Sequence, residues 1–578
     1  MTPRTMENSQ SSLRNRSEKR PTATKSSVRL VRISCWVVAL ALGAADAWAT
    51  RFTMYPDGVS YLDVGDAFWR GDWHNAINAY WSPVFPLVAG LFLKVFRPSI
   101  YGEYPLVHLV NFLIYVVALI CFEFFFSTFV AQQQERDRLQ PEAGLPRWAW
   151  YVVGYSAFIS SSLLLITVSF VSGDVAIAAI VYLACALLIK IRKGTAGWKT
   201  FACLGFVLGI GFLTKAVMFL MSVPFFVVAV AVQCKSRRSM KPVAISLLVF
   251  AAIASPLVLL LSNAKGRPTF GDTGRINYAI NVGGVNFFIP RAETASHPVR
   301  QISSLPAYEY SAPVSGTYPL WFDHSYWHEG IQPHFTLKRQ FYSILTSMLA
   351  CGWISFSLSL GLNLTTAILF LYLTSPSISA CLSRARLNWI LWVPALCGIA
   401  LYSLVVIEPR YVGALFCLLW IVAFSGLRFP VSSQSPMIAA VCLMGLTTCL
   451  VEGWQIRRAL DSSYFPRRHI ASPVSLRVAA ALKSNGFGPG DKLVVIGDWL
   501  FPSQEASYVA RLARAQIIGE ARPDEFWAAD ASTRSHVVAE FANTGAKAIL
   551  IHKPPRTETG WERLSDTDYY LYRIESVK

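Results

Sequence analysis

Four aspartates lie close together in the segment that follows the first long apolar run of the chain. This segment, residues 55–86, reads YPDGVSYLDVGDAFWRGDWHNAINAYWSPVFP, with carboxylates at Asp57, Asp63, Asp66 and Asp72. A carboxylate can accept the proton of a hydroxyl group while that oxygen attacks another centre. If 58–69 is helical, Asp63 and Asp66 share one face, because residues three apart are neighbours on a helix. A solvated amphipathic helix lying on a bilayer is the alternative interpretation.

Isolated charges also interrupt three later apolar stretches. They are Asp174 after Ser172-Gly173, Lys215 after Leu213-Thr214, and Glu408 and Arg410 in the sequence IEPRY, which ends at Tyr411. Charges at membrane depth are costly and commonly mark functional sites, whereas long side chains near the interface can also extend to water. Lys and Arg can hold a lipid phosphate and stabilise the charge that it gains as it leaves. Together with the Asp57 segment, these residues indicate a site for an anionic lipid head group.

The histidines give only weak support for a metal site. His74, His324 and His328 could act as ligands together with the aspartates, but the spacing of 324 and 328 lacks a defined third ligand. Stacked or hydrogen-bonded histidines are the favoured interpretation, so no metal ligand and no cofactor are assigned, and a divalent cation stays open. The 11 cysteines lie in or beside apolar runs without a CxxC pattern, which indicates neither a disulfide framework nor a zinc site.

Composition places these residues in a membrane protein. The chain has 578 residues, of which 54% are hydrophobic and 15% charged, and its mean hydropathy is +0.41. Apolar runs near or above the roughly 17–25 residues that span a bilayer recur along most of it. A net charge of +18 could suggest a nucleic-acid partner, but the basic residues crowd into the N-terminal tail and short loops, where they set membrane orientation. The sequence therefore predicts an α-helical polytopic membrane protein whose partner is the bilayer, not nucleic acid.

The pattern of apolar runs predicts about eleven transmembrane helices. Residues 1–28 are predicted to be a disordered, basic cytoplasmic tail, and 29–455 the transmembrane domain. Basic clusters place the N-terminus inside and the loops 50–104 and 262–340 outside. Val84 to Phe96 is apolar but too short to cross, which indicates an interfacial or re-entrant helix.

The last part of the chain, 472–578, has a different character. The strand-like sequences LVVIGD, AQIIGE and KAILIH alternate with helical patterns near Ala506 to Ala513 and Ser532 to Asn543. This alternation predicts a small α/β domain with a partly parallel sheet. An odd number of spans puts it outside, on the same side of the membrane as the Asp57 segment. We expect a structural or acceptor-positioning role, and a fragment that is soluble, inactive and dispensable for chemistry.

Several short motifs resemble the GT-C class of integral-membrane glycosyltransferases, which includes protein O-mannosyltransferases and the aminoarabinose transferases that act on lipid A. The matching pieces, over about residues 33–430, are Asp57 with Tyr61, Gly71-Asp72-Trp73, Ser82-Pro83-Val84, Leu213-Thr214-Lys215-Ala216 and Glu408-Pro409-Arg410-Tyr411. Gly58 stands where that class often has a second acidic residue, which leaves open whether Asp63 takes its part.

The resemblance implies a hexosyl- or pentosyltransferase of the bacterial inner membrane, with its site on the extracytoplasmic face. It implies a polyprenyl-phosphate-linked sugar donor and a lipid, glycan or protein acceptor. Asp57 would be the general base, with Asp63 as second catalytic candidate; Tyr61, Asp174, Lys215, Glu408, Arg410 and Tyr411 would bind substrate or phosphate. The alternative is a transporter or flippase of polyprenyl-linked lipids, which internal repeats and broken helices would indicate; no clear repeat is present.

Overall fold

The computed structural model describes residues 25–137, 144–285, 297, 299–310, 315–357, 365, 367–369, 371–372, 377–428, 434–461, 473–497, 502–554 and 559–574. Of the tail predicted at 1–28, residues 1–24 lie outside this part of the chain. Residues 25–28 of the predicted tail form the start of helix α1, Lys25–Ala49. The predicted boundary between tail and first helix is therefore a few residues late.

The aspartate-rich loop after α1 consists mainly of helices. Helix α2 is Pro56–Arg70 and α3 is Val84–Phe96, with the short turn Trp73–Ala76 between them. Proline suits the first position of α2, because its φ is already helical and its missing N–H is not needed there. A side chain at Gly65 would put its Cβ 2.5 Å from the carbonyl oxygen of Pro86. Glycine therefore lets α2 and α3 pack backbone against backbone.

Long apolar helices make up most of the remaining chain. Before the second outer loop these are α4 Glu103–Asp137, α5 Arg147–Ile159 with its π-helical continuation Ser160–Ile166, α6 Asp174–Lys193, α7 Trp198–Thr214, α8 Met218–Lys235 and α9 Lys241–Lys265. The outer loop holds α10 Thr273–Asn281, strands β1 Val299–Gln301 and β2 Ala307–Tyr310, and the short turns Pro319–Phe322 and His324–Trp327. Then follow α11 Leu337–Ser357, α12 Ile378–Arg386, α13 Trp389–Ser403, α14 Pro409–Phe424 and α15 Gln434–Leu460.

Membrane-spanning length is clear for some of these helices and marginal for others. Within the described residues, seven helices are long and apolar enough to cross a bilayer, or eight if the bent pair α12–α13 counts as one span. Helices α7 and α14 have only 17 and 16 residues, because each is bounded by a charged turn. At 1.5 Å per residue they are about 26 and 24 Å long, which is shorter than a hydrocarbon core of about 30 Å. The polytopic helical architecture is confirmed, and the count of about eleven spans stays a prediction.

The C-terminal part forms the predicted α/β unit. Its elements are α16 Pro473–Ser484, β3 Lys492–Ile496, α17 Pro502–Ala513, β4 Gln516–Ala521, α18 Pro523–Ala528, α19 Ala531–Asn543, β5 Ala548–His552, β6 Trp561–Arg563 and β7 Tyr569–Arg573. Strand β3 runs parallel to both β4 and β5, and the other pairings are antiparallel. A partly parallel sheet is therefore confirmed.

The sheet is not built from the C-terminal segment alone. In the described part of the chain its order is β1-β2-β4-β3-β5-β7-β6, so two strands of the second outer loop extend it. Strand β2 pairs with β4, where Ala307 lies opposite Ala521. A fragment that starts at the predicted boundary of 472 would therefore lack β1 and β2.

One apolar core joins the outer elements. It contains Leu62 of α2, Phe322 of the second outer loop, and Leu493 and Val509 of the C-terminal unit. A separate aromatic core, which includes Phe122 and Tyr182, lies between the membrane helices. The two outer loops and the C-terminal unit therefore pack as one body on the same side of the membrane helices.

Candidate functional site

Asp57 lies in the first turn of α2, where the positive end of the helix dipole favours a carboxylate. Tyr61 follows one turn later on the same face. The other side of position 57 is closed, because a Cβ at Gly58 would lie 2.6 Å from the sulfur of Met54 and 3.0 Å from Cβ of Val171. The close packing there leaves little room for a second acidic side chain at position 58.

Asp174 and Lys215 come from two neighbouring helix ends. Asp174 begins α6, and Ser172 donates a hydrogen bond to its carboxylate, Oγ to Oδ2 at 2.9 Å. Lys215 ends α7 in an extended backbone conformation (φ −156°, ψ 125°), which directs the chain out of the helix. Its ammonium group forms an ion pair with the other oxygen of Asp174. At the ends of these two helices the Asp174 carboxylate is buried and the Lys215 side chain is partly exposed.

Arg410 connects three carboxylates. It lies in the first turn of α14, which begins at Pro409 after the extended residue Glu408. Its Nε is 2.7 Å from Glu408 Oε2 and 3.9 Å from Asp174 Oδ2, and its Nη1 is 3.4 Å from Asp57 Oδ2. The contact with Glu408 is close, whereas those with the two aspartates are long. Arg410 is thus held firmly on one side and loosely on the other.

Aromatic rings support both cations. The Lys215 ammonium lies 3.9 Å from the centroid of the Tyr411 ring, and the Arg410 guanidinium lies 4.5 Å from that of Phe170. Tyr402 stacks on the far side of Tyr411, with the ring centroids 5.1 Å apart. Such cation–π contacts stabilise a positive charge in a partly desolvated place without consuming its hydrogen-bond donors.

These groups line one cavity of about 410 Å³. Of the eight residues that the sequence singles out, seven face it: Asp57, Tyr61, Asp174, Lys215, Glu408, Arg410 and Tyr411. One wall is apolar and includes Leu220, Phe270, Leu401 and Val405. The cavity therefore combines a charged face with an apolar one, as a phosphate attached to a lipid chain requires.

Asp63 belongs elsewhere, which corrects its assignment to the catalytic group. Six residues after Asp57, it points about 240° around the helix axis and so away from the cavity. It accepts hydrogen bonds from the amide and the hydroxyl of Thr317, at 2.7 and 3.0 Å, and forms an ion pair with Arg511 at 2.7 Å. Burial raises the pKa of this carboxyl, and Arg511 and the Thr317 amide oppose that rise.

The second outer loop contributes residues that the sequence did not assign. Trp321 donates from its indole Nε1 to Asp57 Oδ1 at 3.1 Å, and His324 lines the cavity with its ring 4.4 Å from that of Tyr80. Thr273 and Asn277 of α10 line the cavity as well. The run of large rings near 318–328 was the available signal, but nothing in it showed which ring meets Asp57.

His324 is packed among aromatic rings, with His328 next to it. Burial lowers the pKa of His324 well below its ordinary value, and neighbouring His328 adds to the shift. The two rings stack with centroids 6.2 Å apart. No group of three or more His, Cys, Asp or Glu side chains suited to a metal ion occurs in the described residues.

No protein-family model and no curated protein sequence matches the chain. Among solved structures, it is similar to apo ArnT from Cupriavidus metallidurans, with 13% identity and a TM-score of 0.52, covering 94% of this chain and 98% of ArnT. ArnT bound to undecaprenyl phosphate is similar with 14% identity and a TM-score of 0.53, covering 96% of this chain and 99% of that chain. An Archaeoglobus fulgidus oligosaccharyltransferase tethered with an acceptor peptide has 12% identity and a TM-score of 0.44, covering 91% of this chain and 69% of that chain. The likeness to ArnT shows that the chain has the GT-C membrane fold over nearly its whole length.

Proposed function

We propose that this protein is a membrane glycosyltransferase that moves a sugar from a polyprenyl-phosphate-linked donor to a lipid, glycan or protein acceptor. The observation that carries the proposal is the cavity in which Lys215 and Arg410 lie beside Asp57 and an apolar wall. ArnT, which shares the fold, has been solved with undecaprenyl phosphate bound. A lipid phosphate at the two cations would place its chain along the apolar wall.

The phosphate would bind at Lys215 and Arg410. The long contacts of Arg410 with Asp57 and Asp174, at 3.4 and 3.9 Å, are the ones that an incoming phosphate would replace. The 2.7 Å contact with Glu408 would keep the guanidinium in place meanwhile. Both cations would then stabilise the charge that the phosphate gains as its bond to the sugar breaks.

Asp57 would act as the general base. Its Oδ1 accepts from Trp321, so a phosphate that engages Arg410 would leave Oδ2 directed at the cavity. As the acceptor oxygen forms its bond to the anomeric carbon, the bond from that carbon to the phosphate oxygen breaks. The hydroxyl proton passes to Asp57, and the polyprenyl phosphate leaves with the bonding electron pair. This single displacement inverts the anomeric centre.

The sugar would lie against the rings of Tyr80, Trp81, Trp321 and His324, whose flat faces suit stacking. A volume of about 410 Å³ is at the lower end of the roughly 300–1,000 Å³ of small-molecule pockets. It therefore favours one hexose or pentose with its phosphate, and not an oligosaccharide.

Charge distribution favours an extracytoplasmic site in the bacterial inner membrane. Asp174 begins α6, whereas Lys190, Arg192 and Lys193 lie in its last turn. Helix α8 has the same orientation, because it follows the cavity residue Lys215 and has Lys235 in its last turn. Because basic clusters remain on the cytoplasmic side, the cavity and the C-terminal unit lie on the opposite side.

Mass spectrometry of envelope lipids, glycans and proteins from a deletion strain tests the proposal. The strain should lack one sugar residue on one product, and the wild-type gene should restore it, whereas Asp57→Asn should not. An unchanged set of products would refute the transferase. Full restoration by Asp57→Asn would exclude Asp57 as the general base.

A further inference from the structure

We propose that Arg511 is a positioning residue for Asp57, so that turnover depends on a C-terminal unit that supplies none of the described residues lining the cavity. The proposal rests on the proposed function, because Asp57 must have a reaction to serve. It reverses the expectation that the C-terminal unit is dispensable for chemistry.

The first connection between the C-terminal unit and Asp57 is an ion cluster that joins α17 to α2, the helix that carries Asp57. Nη1 of Arg511 lies 2.7 Å from Asp63 Oδ1 and 2.7 Å from Asp66 Oδ2, and its Nε lies 2.7 Å from Glu103 Oε1. Arg514 adds contacts of 3.0 Å to Asp66 and 2.8 Å to Glu103. One guanidinium thus holds two successive turns of α2 and the start of α4 together.

Because this ion cluster is buried, it fixes the rotation of α2 about its axis. The Arg511 side chain is 3% exposed and that of Asp63 7% exposed, so neither group can exchange its partner for water. The planar guanidinium fixes the angle as well as the distance of each carboxylate. A rotation of α2 about its own axis would break the contacts with Asp63 and Asp66. It would also move Asp57, which lies on the same rigid helix.

The second connection runs through the segment before Trp321. The Ile517 amide of β4 donates to the Thr317 carbonyl at 2.9 Å, and the Thr317 amide donates to Asp63 at 2.7 Å. Four residues later, the Trp321 carbonyl accepts from Ser60 Oγ at 3.0 Å while its indole donates to Asp57. The C-terminal sheet and α2 therefore both hydrogen-bond to the segment 317–321, which carries Trp321, the partner of Asp57.

These contacts predict that loss of the ion cluster lowers turnover and not phosphate binding. Loss of the Arg511–Asp63 pair would let α2 and Trp321 shift relative to Lys215 and Arg410, which are held by the membrane helices. Because a misplacement of about 1 Å can cost roughly 10²-fold in rate, turnover should fall while phosphate binding persists.

The experiment uses the full-length protein with Arg511→Met, Asp63→Asn and the double variant. Two readouts are compared: product restored in the deletion strain, and affinity of the purified protein for undecaprenyl phosphate. We expect each single variant to lower product by at least about tenfold and to keep the affinity within about threefold. The double variant should be no worse than Arg511→Met alone, since that change already removes the contact that Asp63→Asn removes. Arg522→Met, which removes an ion pair with Glu525 at 3.2 Å elsewhere in the unit, is the matched control.

Three results would overturn the proposal: wild-type product from either single variant, affinity that falls in parallel with product, or failure of both single variants to accumulate. The last two would make the cluster a purely structural one. If only Arg511→Met fails to accumulate, Asp63→Asn decides, because it keeps the shape of the side chain. Failure of the proposed function is recognised separately, since the deletion strain would then lack no sugar.

Discussion

Arg410 and Asp57 face each other at 3.4 Å, although 353 positions separate them in the chain. One begins a membrane helix and the other begins a helix of the outer loop. Their contact is the place where the membrane part of the cavity meets its outer part.

Asp57→Asn should abolish most activity and leave the fold intact. The amide has the same size but cannot accept the proton, and general-base catalysis is worth about 10²–10⁴-fold. Product formation in the complemented deletion strain should fall by at least about 10²-fold. Asp72→Asn is the control, because asparagine caps a helix as well as aspartate does and Asp72 caps the short turn Trp73–Ala76. Normal activity of Asp57→Asn would remove it from the role of base.

Lys215→Met and Arg410→Met should weaken binding of undecaprenyl phosphate. A hydrogen bond to a charged group contributes about 1.5–3 kcal/mol, which corresponds to roughly 10–150-fold in affinity. Native mass spectrometry or a thermal-shift titration measures the change. Lys94→Met is the control, since Lys94 donates to the carbonyl of Trp69 outside the cavity. Unchanged affinity in both variants would exclude the phosphate site.

Trp321→Phe should lower turnover by loosening Asp57. The substitution keeps an aromatic face for the sugar and removes the indole N–H that donates to Asp57 at 3.1 Å. A reduction of about tenfold in product is expected for one lost hydrogen bond of about 1.5 kcal/mol. Trp69→Phe is a matched change, because its indole donates at 2.9 Å to the carbonyl of Leu87. Equal effects of the two variants would indicate loss of stability and not loss of positioning.

Stability should depend on pH through His324. Burial lowers its pKa well below the ordinary 6.5, so below that pH the unfolded chain takes up a proton that the folded protein does not bind. The contribution is complete above about pH 6.5 and is lost as the pH falls toward the folded pKa. Between pH 7.5 and 5.5 the free energy of unfolding in detergent should decrease more in the wild type than in His324→Gln. An equal decrease in the two proteins would show that His324 does not cause the pH dependence.

A fragment that begins at residue 473 should aggregate. Without β1 and β2, strand β4 becomes an open edge, and exposed edges pair with other chains. Size-exclusion chromatography of this fragment, compared with one that carries 297–322 on a flexible linker, measures the difference. A monodisperse short fragment would show that the outer-loop strands are not needed.

The charged turns were predictable because isolated ionisable residues in apolar sequence have few structural explanations. Asp174, Lys215 and Arg410 stand out locally, and membrane topology alone brings helix ends of one side together. Asp63 misled the prediction for the opposite reason. Its helical phase could be read from the sequence, but its partner Arg511 lies 448 positions away. Nothing near Asp63 distinguishes a carboxylate that faces a substrate from one that faces an arginine.

The strands of the sheet also differ in how far local sequence predicts them. LVVIGD, AQIIGE and KAILIH have strong strand patterns and form β3, β4 and β5. Strands β1 and β2 have three and four residues, too few for an alternating pattern. They exist because β4 offers them an edge, so their signal lies in a distant part of the chain.

The pairing of β2 with β4 also fixes an order of events during biogenesis. Ala307 leaves the ribosome long before Ala521, its partner in the sheet, and the helices α11 to α15 must be inserted in between. Until β4 has been synthesised, Thr317 lacks its contact with Ile517, and the sheet does not hold the segment that carries Trp321, the partner of Asp57. A chain that stops before β4 therefore carries Asp57 and Trp321 without the strand that holds the Thr317 segment in place.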